Sequence, residues 1–229
     1  MVLKKKAIRG RRQLIAYEQP KSSVSEQYRN IRTNIEFASV DKKIRSLIVT
    51  SANPSEGKTT TAANLAVVFA QQGKKVLLID ADLRKPALHQ MLQMDNMFGL
   101  SSVLTRSKAL ETCVNKTQIG SLDFLSCGPI PPNPAELLGA SSMKDLLSEA
   151  YGRYDLVIFD TSPILPITDA QIMANQCDAS ILVIRSGATE KGVALKAKQA
   201  LASAQGTLLG VVLNDKEQKG SDYYYYGSN

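Results

Sequence analysis

The chain has 229 residues, 44% of them hydrophobic, enough for one sizeable α/β core, and no apolar run approaches the ~20 residues that a membrane-spanning helix needs. Its net charge of +7 is concentrated at the start, where Lys4, Lys5, Lys6, Arg9, Arg11 and Arg12 precede the first acid, Glu18, with no apolar segment behind them to make a secretory leader; the chain reads as cytoplasmic. Cys113, Cys127 and Cys177 are scattered and odd in number, which argues against a disulfide framework or a zinc site.

Residues 1–20 read as a basic, solvated arm rather than a lipid-binding one, since nothing apolar nearby would anchor them. Val24, Tyr28, Ile31 and Ile35 then recur at helical spacing and predict a helix from about 24 to 38, with Ser23 and Glu26 in the form of a capping box. Glu26, Arg29 and Arg32 fall off its apolar stripe, where spacing alone supports a cap and one exposed ion pair.

Next, Leu47-Ile48-Val49 runs into Ala52-Asn53-Pro54-Ser55-Glu56-Gly57-Lys58-Thr59-Thr60, which opens a second helix near Lys58 that ends at Gly73. Strand, loop and helix in this order place a phosphate site at the turn. Loop amides and the helix N-terminus attract anions, Lys58 can reach the β and γ oxygens, and the Thr59 hydroxyl can sit on Mg²⁺. The spacing is that of a Walker A loop with Ala52 in place of the first glycine, so the chain must enter the turn with ordinary dihedrals.

Val76-Leu77-Leu78-Ile79 reads as a buried parallel strand and ends in Asp80-Ala81-Asp82-Leu83-Arg84; Leu156-Val157-Ile158-Phe159 repeats the pattern and ends in Asp160-Thr161-Ser162, a Walker B arrangement. Ligands bind at the carboxyl edge of such sheets, and acids placed there beside a phosphate loop call for a cation, Mg²⁺. One metal–nucleotide site results only if both acidic strands lie near the phosphate-loop strand. His89, the only histidine, reads as a surface residue of a helix. Residues 122–125 suggest a strand, 128–134 a proline-rich loop and 134–150 a helix; 181–184 and 208–213 are further strands around a helix from 190 to 204. This alternation predicts a doubly wound, mainly parallel α/β sheet of P-loop NTPase type over residues 21–215. Asn214, at the last strand's carboxyl end, could read a base edge or cap a turn. Residues 216–229 read as a flexible tail carrying Tyr223, Tyr224, Tyr225 and Tyr226, for which the sequence offers no buried face to fill and which can accept phosphate.

On these features the chain resembles the bacterial tyrosine kinases of the capsular and exopolysaccharide type along nearly its whole length. The resemblance rests on the loop with Ala52 first, the Asp80-x-Asp82-x-Arg84 element, the Asp160-Thr161 pair and the tyrosine cluster. It implies an oligomerisation motif at Glu26, Arg29 and Arg32, and a homo-oligomeric ring in which one subunit's tail enters its neighbour's site. It also implies activation by the cytoplasmic tail of a transmembrane polysaccharide co-polymerase, which would recruit the chain to the inner face of the membrane. Ser162 stands where the family commonly has proline, which affects only local backbone.

The reading is an ATP- and Mg²⁺-dependent protein-tyrosine kinase that phosphorylates its own tail in trans, acts on other tyrosine-bearing proteins and regulates polysaccharide synthesis. Asn53, Ser55, Glu56, Gly57, Lys58, Thr59, Thr60, Arg84 and Asn214 are the expected nucleotide contacts. Thr59, Asp82 and Asp160 hold the metal, and Lys58, Asp80, Asp82 and Asp160 are catalytic, with Asp80 accepting the tyrosine proton unless it exchanges roles with Asp82. The rival is an assembly-switch ATPase of the MinD and ParA type. Those carry a second lysine early in the loop, where this chain has Asn53, and a nucleic-acid partner would need a basic patch beyond the arm.

Overall fold

Apolar residues on alternate sides build the sheet. In β1 (Ser46–Ser51), β2 (Val76–Asp80) and β5 (Leu156–Asp160) every residue is buried, because helices cover both faces. Leu47, Val49, Val76, Leu78, Leu156 and Ile158 pack into one apolar cluster, and Ile48, Leu77, Ile79, Val157 and Phe159 into the other. The structure, a computed structural model, describes residues 14–38 and 43–216. With β3 (Val114–Lys116), β4 (Leu122–Leu125), β6 (Ala179–Arg185) and β7 (Thr207–Asn214), the described strands form a seven-stranded sheet in the order β3-β4-β2-β5-β1-β6-β7. Only β3 runs antiparallel, on β4. The α/β doubly wound, mainly parallel expectation is borne out.

One face is covered by α1 (Ile15–Glu18), α2 (Ser23–Phe37) and α3 (Lys58–Gln71), the last buried along nearly its whole length between the sheet and its neighbours. The other carries α5 (Leu100–Leu104), α6 (Leu110–Cys113), α7 (Pro134–Gly139), α8 (Ser141–Tyr151), α9 (Asp169–Ala174) and α10 (Lys191–Ala202). The short α4 (Leu88–Leu92) follows the acidic end of β2.

Three local readings are corrected. Leu14 and Ala16, in the stretch read as arm, are buried in the core, and the Ala16 N–H donates to Asn64 Oδ1 at 2.8 Å. The cap of α2 is Ser22, whose hydroxyl accepts the Ser25 N–H at 3.2 Å, so no capping box forms and Glu26 pairs with Arg29 instead. The single helix expected over 134–150 breaks at Ala140, which takes an extended conformation (ψ 156°) between α7 and α8. Gly139 and the following serines hold a helix weakly enough for packing to interrupt it.

Candidate active site

β5 lies between β1 and β2, with Asp160 in register with Val49 on one side and Asp80 on the other. The topological condition read from the sequence is therefore met: both acids stand at one sheet edge, beside the loop that follows β1.

The loop keeps ordinary dihedrals at Ala52, as expected, and turns through left-handed backbone at Ser55 (φ 67°) and Gly57 (φ 98°). Among the described residues, no acceptor takes up the backbone N–H groups of residues 55–60. A concave run of free amides at the start of a 14-residue helix is an anion cradle.

Lys58 reaches from α3 into the acids. Its ammonium lies 2.9 Å from Asp82 Oδ2 and 3.3 Å from both Asp160 Oδ1 and Thr59 Oγ1. Asp80, wholly buried, accepts at Oδ2 the N–H groups of Ala87 and Leu88 at 2.9 Å each, and at Oδ1 the Asp82 N–H at 3.3 Å. These bonds fold residues 81–88 back over the strand end. Burial, with Asp160 beside it, pushes the Asp80 carboxyl up to about 7; burial also raises Asp160, against the pull of Lys58. Lys58 is held above the usual lysine value by Asp160 and Asp82, which outweigh its own desolvation.

One ammonium pairs with two carboxylates, with Asp80 near enough to act on it electrostatically, and Asp160 Oδ2 is buried without a hydrogen-bond partner among the described residues. A carboxylate and hydroxyl donor set of this kind suits a hard divalent cation, so Asp82, Asp160 and Thr59 fit Mg²⁺.

Other predicted contacts are committed within the chain. The Glu56 carboxylate, 4% exposed, accepts the Asn53 N–H at 2.9 Å and the Thr189 hydroxyl at 2.5 Å, so it fastens the loop and does not face a nucleotide. The Asn214 amide nitrogen donates to the Glu56 carbonyl at 2.9 Å and lies 2.1 Å from where a Cβ on Gly57 would fall. Arg84 forks onto Asp169 at the start of α9 through Nε and one terminal nitrogen, at 2.8 and 3.1 Å. Arg29 pairs with Glu26 at 2.6 Å and donates to the Pro20 carbonyl, while Arg32 donates to the Val68 carbonyl at 2.9 Å. The side chain of Thr60 has no partner in the cluster; His89 is half-buried on α4; the three cysteines are buried and free. Tyr223, Tyr224, Tyr225 and Tyr226, and the basic residues 4–12, lie outside the described residues.

Thr189 and Asp169 were missed. Each meets its partner across more than 80 residues of chain, and neither sits in a motif or in a pattern that periodicity would expose.

A family model described as an AAA domain matches residues 46–201. Over 226 residues the chain is 58% identical to the tyrosine-protein kinase YwqD of Bacillus subtilis (strain 168), covering 98% of this chain and 95% of that one. It is 38% identical over 218 residues to a putative tyrosine-protein kinase, CapB, of Staphylococcus aureus, covering 94% and 96%. The solved kinase domain of the Escherichia coli tyrosine kinase ETK matches with a TM-score of 0.87 and 34% identity, over 98% of this chain and 89% of that one.

Proposed function

The chain belongs to the bacterial tyrosine-protein kinases, and from that premise we propose that it transfers the γ-phosphoryl group of Mg·ATP to tyrosine, including Tyr223, Tyr224, Tyr225 and Tyr226 of a neighbouring copy. The observation that carries the site assignment is the convergence of Lys58 on Asp82 and Asp160 beside the free amides of residues 55–60.

The amides and Lys58 hold the phosphate oxygens in line with the incoming hydroxyl, which is most of the work in this reaction. Thr59, Asp82 and Asp160 are the donors that would hold Mg²⁺; when bound, the ion supplies neutralisation of charge on the β and γ oxygens. Asp80 accepts the tyrosine proton at Oδ1, whose single hydrogen-bond donor among the described residues is the Asp82 N–H at 3.3 Å. A bond forms between the tyrosine oxygen and the γ phosphorus, the bridging bond to the β-phosphate oxygen breaks, and ADP leaves.

The finer reading rests on the family resemblance and on the sequence of the tail. In it the copies assemble through Glu26, Arg29 and Arg32 into a ring, a membrane activator's cytoplasmic tail recruits them, and tail phosphorylation regulates exopolysaccharide and capsule synthesis. Glu26, with a side chain 62% exposed, is the member of that motif best placed to meet a second copy. The switch ATPase shares the loop and the acids but offers no use for four adjacent tyrosines.

The test is intact-mass analysis before and after incubation with Mg·ATP, with peptide mapping and with an activator-tail peptide present. Phosphate on residues 223–226 that is absent from Lys58→Met and from the four-fold Tyr→Phe chain supports the proposal. ATP hydrolysis without any phosphotyrosine overturns it in favour of the switch.

A further inference from the structure

The phosphate loop is held from outside its own motif. Glu56 closes residues 53–56 by accepting the Asn53 N–H on one carboxylate oxygen, and its other oxygen accepts the Thr189 hydroxyl at 2.5 Å. Thr189 belongs to the turn after β6. Its hydroxyl accepts the Arg185 N–H at 2.9 Å, and its own N–H donates to the Arg185 carbonyl at 3.0 Å. Because an ionised carboxylate only accepts, the hydroxyl's single proton is committed to Glu56. The turn is anchored to the sheet, since β6 pairs with β1 up to Ser51, the residue from which the phosphate loop departs.

Ser55 holds left-handed backbone (φ 67°), which a residue with a side chain keeps only if its surroundings hold it there. The Ser51 hydroxyl, on the Asn53 carbonyl, and the Asn214 amide, on the Glu56 carbonyl, hold parts of the loop, and the Glu56 carboxylate ties its two ends together; a buried carboxylate that lost one of its donors would turn or draw in water. We propose that Thr189 is a positioning residue of the nucleotide site: acting through Glu56, it keeps residues 53–57 in the conformation that aims the N–H groups of residues 55–57 at an anion. This rests on the reading of that loop as the phosphate site, and it adds a residue that lies outside every motif in the sequence.

The experiment is calorimetric titration of the full chain with Mg·ADP and with Mg·ATP. The proteins compared are the unaltered chain, Thr189→Val, Thr189→Ser, Glu56→Ala and the double variant Thr189→Val/Glu56→Ala. Valine keeps the shape and removes the hydroxyl, so Kd should rise about tenfold, the worth of a hydrogen bond to a charged acceptor. Serine should restore Kd to within about twofold, and on the Glu56→Ala background valine should add less than about twofold, because the group it acts through is gone. Unchanged Kd in Thr189→Val overturns the proposal, and so does a loss that persists at full size without Glu56. Melting temperatures identify any variant that fails to fold; Thr189→Ala then stands in for valine under the same criteria. Nucleotide binding without transfer to tyrosine by the unaltered chain would defeat the proposed function and leave this inference standing. An unaltered chain that binds no nucleotide overturns both.

Discussion

Lys58 carries two burdens that pull in different directions. It is the cation for a phosphate and also the counter-charge for Asp82 and Asp160, whose side chains are 6% and 0% exposed. Lys58→Met therefore removes transfer and leaves buried carboxylates unpaired, at a cost on the order of 3 kcal/mol near neutral pH. Measured by urea unfolding at pH 7.5, Lys58→Met should be less stable than the unaltered chain by about that amount. Equal stability of the two proteins would show that the lysine does not compensate the acids. Asp80 gives a pH dependence. Its carboxyl is raised to about 7 in the fold and lies near 3.9 when unfolded, so the native chain holds the proton longer. Its favourable contribution is complete below about pH 4 and is lost as pH rises through about 7. In chelator, Asp80→Asn should flatten the fall of unfolding free energy between pH 5 and 8; an unchanged slope would mean that another group titrates there.

At the scale of elements, the site is where the end of β1, the start of α3 and the ends of β2, β5 and β7 meet. The contact between Gly57 and Asn214 ties the first of these to the last. Gly57→Ala meets two obstacles, a φ of 98° and an amide 2.1 Å from the new Cβ. It should cost about 1–3 kcal/mol and weaken ATP binding. Adding Asn214→Ala removes the collision but not the dihedral strain, so the double variant should recover part of the loss in both melting temperature and Kd. Full recovery would assign the whole cost to the collision; none would assign it to the dihedral. Much at this scale was legible beforehand. Strands running Val76–Ile79 and Leu156–Phe159 announce themselves as apolar runs with acids at their ends, and Gly57-Lys58-Thr59 marks the loop. The helix break at Ala140 and the edge strand Val114–Lys116 were not legible, because a three-residue strand carries no period and the break is decided by packing.

For the whole molecule, the two covered faces leave α2 at the outside with its Glu26–Arg29 pair exposed. An exposed i,i+3 pair contributes only ~0.5 kcal/mol to a single chain, so Glu26→Ala should leave the melting temperature nearly unchanged. If α2 meets a second copy through these residues, the same substitution should lower the mass measured by light scattering toward that of one chain. Arg32→Ala should instead lower stability as well, since its guanidinium bonds the Val68 carbonyl of α3. A large assembly that persists in Glu26→Ala would place the contact elsewhere.

The sequence by itself determined the α/β class, the phosphate loop and the acid-tipped strands, because these reside in local period and spacing: an apolar run is buried wherever it lies, and a glycine–lysine–threonine turn needs only its neighbours; the family followed from the resemblance of those motifs to known kinases. Tertiary structure alone decided which partners those residues take. Glu56, Arg84 and Asn214 look alike in sequence as polar groups near a nucleotide, yet the fold commits each to a residue far along the chain: Thr189, Asp169 and the Glu56 carbonyl. The physical reason is that a buried polar group must be satisfied by whatever packing brings within about 3 Å, and spacing along the chain does not encode that.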